Sequence, residues 1–196
     1  MPQVQDPLPL GDPKQLGFCT DRLKRFDHYL ESAIAQNTMP GTSVLIARGG
    51  QIAYRTCVGL RNREAATPMQ LDTVFRIASM SKAIVCTGVM MLYEEGHIQL
   101  GDPISKYIPE FAEPRVFAEG DETVPAKSEI TILQLLTHTS GLSYGFDQRL
   151  QPLAEKAGLM DHPTALTTGE IVRGIARLPL DHHPGEAWTY GTSIDV

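Results

Sequence analysis

At 196 residues, with 42% hydrophobic and 20% charged side chains, the chain has the length and composition of one globular domain with a sizeable core. A formal net charge of -6 and the lack of any Lys/Arg cluster argue against nucleic acid or an anionic membrane as its main partner. Met1-Pro2-Gln3-Val4-Gln5-Asp6-Pro7 has neither a basic n-region nor an apolar h-region, and the longest apolar run, Ala83 to Tyr93, is well short of the roughly 20 residues of a membrane span. Cys19, Cys57 and Cys86 are odd in number and widely spaced, so free thiols in the cytoplasm are expected, with no membrane contact.

In chain order, residues 1–20 carry four prolines without a period and read as an extended arm. Asp21 is placed to cap a helix running to about Asn37, with Leu23, Phe26, Leu30, Ala33 and Ile34 on one face. Met39-Pro40-Gly41 stops it. Thr42 to Arg48 and Gln51 to Val58 read as strands of one hairpin turning at Gly49-Gly50, and the first lacks clean alternation, which predicts that both of its faces are covered. Gly59 to Thr73 reads as a polar loop.

A helix then begins near Ser79 and ends with Gly96 as its C-cap. Its residues Ala83, Ile84, Val85, Cys86, Val89, Met90, Met91 and Leu92 are apolar around most of the circumference, so burial on several sides is expected. Gly101-Asp102-Pro103 opens a short helical stretch, and Phe111 to Glu129 reads as a long acidic loop. Thr131-Ile132-Leu133-Gln134 and Thr167-Thr168-Gly169-Glu170 are capping boxes, each opening a short helix. Pro179 and Pro184-Gly185 close the second of these segments. A lone hairpin is at best marginally stable in water, so a sheet with more strands is implied. The expectation is an N-terminal portion of a larger fold, completed by a C-terminal part or by a partner chain.

Chemistry concentrates at Ser79-Met80-Ser81-Lys82, where three-residue spacing on a helix puts a hydroxyl and an amine on one face. A serine becomes a nucleophile when a base takes its proton, and a lysine is that base only when neutral; burial against an apolar helix is what would lower its pKa. The helix N-terminus adds partial positive charge where an oxyanion would form.

A rival is Gly141-Leu142-Ser143-Tyr144-Gly145, a literal G-x-S-x-G followed by Asp147, Asp161, His162, Asp181, His182 and His183. What precedes it reads as a capped helix instead of the strand that such an elbow needs, so Ser143 is read as a structural turn. His138 is read as a helix C-terminal residue, and Asp181-His182-His183 as a loop lacking further ligands at a recognised metal spacing. Tyr190, in Pro184-Gly185-Glu186-Ala187-Trp188-Thr189-Tyr190, could relay a proton if held beside a lysine ammonium.

Taken together, Phe75 to Lys82, Leu135-Leu136-Thr137-His138-Thr139-Ser140-Gly141-Leu142 and Pro184 to Tyr190 resemble the serine β-lactamase-related family, closest to the family VIII carboxylesterases and related acyltransferases. The resemblance implies an α+β fold, an antiparallel sheet flanked by helices, with residues 21–196 as the N-terminal portion of one domain and a helical region at about 79–185. It implies cleavage of short-chain carboxylic esters with no metal or cofactor, the alternatives being acyl transfer or β-lactam cleavage by the same chemistry, or a non-catalytic fragment that needs a partner chain. Ser79 would form an acyl-enzyme, with its N–H as one oxyanion donor. Lys82 and Tyr190 would handle the proton. Tyr144, Phe146 and Trp188 are candidates for lining the acyl pocket, with a core role the alternative for each, and Thr192 is a further candidate for substrate binding. Two departures from the family stand out. Thr192 replaces the Asn that β-lactamases carry two residues after the Tyr, which favours an ester over a β-lactam. The later Lys-Thr-Gly-type box, on a strand that would supply the second oxyanion donor, is absent.

Overall fold

A computed structural model describes residues 8–120, 122–145, 148–159 and 166–196. The chain forms two compact units, Met1–Arg76 and Ile77–Val196.

The first unit contains helix α1 (Thr20–Ala35) and strands β1 (Gly41–Arg48), β2 (Gln51–Asn62) and β3 (Thr67–Pro68), in the order β1-β2-β3. Cys19 is the N-cap of α1 and makes no side-chain cap; Asp21 lies inside the first turn, where a carboxylate still complements the helix dipole. Leu30 and Ala33 are buried, and Phe26 meets Tyr54 with ring centroids 6.0 Å apart. Gly49 and Gly50, at φ 59° and 73°, make the two-residue turn that the right-handed twist of a hairpin favours. The arm is less detached than its prolines suggest, because Ile52 N–H donates to Pro9 O and Gly11 N–H donates to Ile52 O.

Two further expectations for this unit are corrected. The loop after Val58 is shorter than its polarity suggests, because β2 continues to Asn62 and pairs with β3. Burial on both faces belongs to β2, where the successive residues Ile52 and Ala53 are 1% and 4% exposed, and not to β1, where Leu45 is 53% exposed. β1 is the edge strand of the sheet among the described residues, so its side chains have a neighbouring strand on one side.

The second unit opens with a 3-10 turn, Ala78–Met80, running into α2 (Ser81–Glu94). The Gly96 C-cap forms as expected: Gly96, at φ 78°, donates to Tyr93 O while His97 N–H donates to Leu92 O, which is the Schellman pattern. The expected burial of α2 does not occur. Lys82 is its buried residue, whereas Ile84, Met91, Val85 and Leu92 are 66%, 55%, 48% and 45% exposed. The turn Thr192–Asp195 packs on the start of the helix, and apolar side chains around the rest of it stay open.

Arg115–Phe117 (β4) and Thr123–Pro125 (β5) pair antiparallel inside the segment read as an acidic loop. Val116 is buried there, and Leu180 continues the pairing on the other side of β4. Three-residue strands are too short to show alternation in sequence. Helices α3 (Ile132–Leu136) and α5 (Thr168–Ala176) both carry complete capping boxes, and α4 (Leu150–Lys156) lies between them. Phe111, Ile130 and Leu180, each at most 2% exposed, centre a core that also takes in Leu135, Leu142, Val172 and Ile175.

Candidate active site

Ser79 lies exposed in the 3-10 turn at the head of α2, where backbone N–H groups lack intrahelical acceptors. Ala78 before it adopts φ 46°, a left-handed conformation that costs a residue with a Cβ roughly 1 to 2 kcal/mol. Strain of this kind is held in place by surrounding structure and concentrates at functional sites. Lys82, in the first turn of α2, is 8% exposed.

Two chain segments bring aromatic side chains to this amine. Residues 138–145 leave α3, and residues 181–192 return beside them, tied by Asp181 N–H to Gly141 O, Gly185 N–H to Thr139 O and Thr189 N–H to His138 O. The approach is close: a Cβ on Gly191 would stand 2.4 Å from Ser143 Cα, so only glycine fits. Ser140 Oγ and Ser193 Oγ, both buried, are hydrogen-bonded at 2.9 Å and join the two segments from inside. Tyr144 and Tyr190 are thereby held with ring centroids 5.8 Å apart, and His138 lies 4.7 Å from Tyr190 and 6.3 Å from Trp188.

The polar centre is a closed ring of three groups. Lys82 Nζ donates to Tyr144 Oη at 2.9 Å and to Asp195 Oδ1 at 2.5 Å, and Tyr144 Oη donates to Asp195 Oδ2 at 3.0 Å. Nζ also stands 5.5 Å from the Tyr144 ring centroid and 5.8 Å from that of Tyr190, within cation–π range. Burial pushes the Lys82 pKa down, but the hydrogen bonds to Asp195 and Tyr144 and the carboxylate charge outweigh it, so the amine is held above the ordinary lysine range. This corrects the expectation of a neutral lysine. The apolar helix supplies the burial, and a carboxylate that no motif pointed to reverses its effect. Burial raises the Tyr144 phenol as well, and burial together with the nearby Lys82 charge pushes His138 down.

The site therefore unites Lys82, Tyr144 and Tyr190, with Trp188 at its edge, 66% exposed. No side-chain hydrogen bond joins Ser79 to Lys82 or Tyr190 among the described residues. Thr192 directs its hydroxyl toward Ser143 O, 3.5 Å away, and so helps to hold the loop. Phe146, Asp147, Asp161 and His162 lie outside the described residues. Ser143 is 8% exposed, its Oγ accepts from Gly145 N–H at 3.2 Å, and it follows a helix, as the structural reading of G-x-S-x-G requires. Asp195 was missed because it belongs to none of the three motifs; its spacing from Tyr190 gains meaning only when the turn Thr192–Asp195 folds it back toward α2.

A buried lysine gathered with tyrosines beside a serine at a helix head, in an α+β frame, defines the class: a serine-hydrolase-type fold of the β-lactamase and penicillin-binding-protein kind. The Beta-lactamase family model matches residues 26–193, and the chain belongs to that family. It is 36% identical to esterase EstB of Burkholderia gladioli over 174 residues, which cover 88% of this chain and 43% of EstB. Acyltransferase mokF of Monascus pilosus is 30% identical, with 98% and 50% covered. Among solved structures, EstCE1, a hydrolase with promiscuous acyltransferase activity, superposes with a TM-score of 0.76 at 32% identity, covering 88% of this chain and 44% of that one. The chain thus spans half or less of the length of these relatives.

Proposed function

We propose that the chain carries the nucleophile half of an esterase site, in which Ser79 attacks a short-chain carboxylic ester and becomes acylated. The observation that carries this reading is the placement of Lys82, buried and paired with Asp195, beside two tyrosines at the helix head that bears Ser79. The Ser79 proton passes to Tyr190, and the fixed charge of Lys82 stabilises the negative charge that develops. The esterase and acyltransferase relatives support acyl chemistry of this type, and Thr192 in place of Asn favours esters over β-lactams. Tyr144 and Trp188, 44% and 66% exposed, offer apolar surface to the acyl group.

In this reading the rest of the fold, from a continuation of the chain or from a second chain, supplies the second oxyanion donor. The three cysteines, all free, suit a cytoplasmic protein; among the described residues no helix is long and apolar enough to cross a membrane. A fluorophosphonate probe with peptide mapping tests the assignment. Ser79 is expected to be labelled, labelling is lost in Ser79→Ala, and it falls in Lys82→Ala by about a hundredfold or more. Labelling at Ser143 would overturn the assignment. Relative rates on nitrophenyl esters and a chromogenic cephalosporin, with the ester preferred, test the substrate class.

A further inference from the structure

We infer that Asp195 is the positioning residue of the Ser79 site: its carboxylate clamps the Lys82 amine against Tyr144 and so fixes where that amine stands. The inference rests on the esterase reading for its catalytic meaning, and on geometry for the clamp itself.

Both carboxylate oxygens are engaged, Oδ1 by Lys82 and Oδ2 by Tyr144, and Tyr144 Oη accepts from the same amine that Oδ1 faces. An ammonium has three N–H donors and no acceptor. Two of the three are used in the ring. The third has no protein acceptor among the described residues, which leaves it for the Ser79 oxygen or the acyl oxygen. At 8% exposure an unpaired ammonium would be costly, and a carboxylate 2.5 Å away removes most of that cost. Asp195 itself keeps 42% of its side chain exposed, so the pair opens to the site and is not sealed in the core.

The titratable groups facing the amine are Asp195 from the Thr192–Asp195 turn, Tyr144 and His138 from the loop after α3, and Tyr190 from the returning segment. Among them Asp195 is the group that supplies a carboxylate. In the acylation step, Ser79 Oγ bonds to the acyl carbon as its proton passes to the Tyr190 oxygen, the ester C–O bond breaks, and the proton that the Tyr190 hydroxyl already carries passes to the departing alkoxide oxygen. Lys82 donates hydrogen bonds throughout and neither gains nor loses a proton.

The test follows the Lys82 amine by nitrogen NMR in lysine-labelled protein, assigned with Lys82→Arg, together with its acetylation rate at pH 8. Asp195→Asn is expected to lower the titration midpoint and to raise the acetylation rate about tenfold, and Asp195→Glu to restore both. Tyr144→Phe, which keeps the charge pair, should shift the midpoint in the same direction by less, and it serves if Asp195→Asn does not fold. An unchanged Lys82 titration in both Asp195→Asn and Tyr144→Phe overturns the clamp. The two readings separate cleanly: Ser79 labelled with Lys82 unmoved removes the clamp alone, and Lys82 shifted with Ser79 never labelled removes the esterase reading alone.

Discussion

His138 shows how one side chain can report on the whole site. It sits at φ 56° just after α3, is 9% exposed, has no partner for Nδ1 among the described residues, and packs on Tyr190 while feeling the charge of Lys82. Its folded pKa is depressed below the ordinary value of 6.5, so above that value the ring is neutral in both folded and unfolded chains and no stability is lost. As pH falls below it, the unfolded chain takes up the proton first, and stability declines until the folded pKa is reached. Trp188 is the chain's one tryptophan and lies 6.3 Å from this ring. Urea unfolding followed by its fluorescence should show a midpoint that falls between pH 7 and the acid side of 6.5, with the slope reduced in His138→Gln; equal slopes in the two proteins would mean that His138 ionises freely.

At the scale of elements, what was local in sequence was legible. The two capping boxes, the glycine hairpin turn and the Gly96 cap each depend on residues within a few positions, and each formed at the residues that suggested it. The β4–β5 pair and Asp195 were not legible, because three-residue strands carry no pattern and a carboxylate that follows a tyrosine has no meaning until a distant helix is brought to it. Apolarity all round α2 predicts burial on several sides, and this does not occur in this unit, where Lys82 is the buried residue of the helix. The joint between the loop after α3 and the returning segment is the element-level feature most open to test. Gly191→Ala inserts a methyl 2.4 Å from Ser143 Cα, where backbone must move. It should cost about 1 to 3 kcal/mol in denaturant unfolding and slow labelling of Ser79, since Tyr144 and Tyr190 hang on the two sides of that contact. Unchanged stability would show that the segments are not held this tightly.

For the molecule as a whole, the chain belongs to the Beta-lactamase family and spans 43% of EstB, and we propose that it holds the nucleophile, amine and tyrosines of the site while a later box, not found in these 196 residues, completes it. If that box brings the second oxyanion donor, as we propose, a chain extended by a C-terminal half should react about a hundred to a thousand times faster than the 196 residues alone. Equal rates would mean that the donor is already present. The most direct measurement of the central claim is the mass of the protein after brief exposure to a nitrophenyl butyrate at acidic quench. The account predicts one butyryl group, carried by the peptide containing Ser79 and absent in Ser79→Ala. Acyl transfer to Ser143, or ester turnover that persists undiminished in Ser79→Ala, would contradict it.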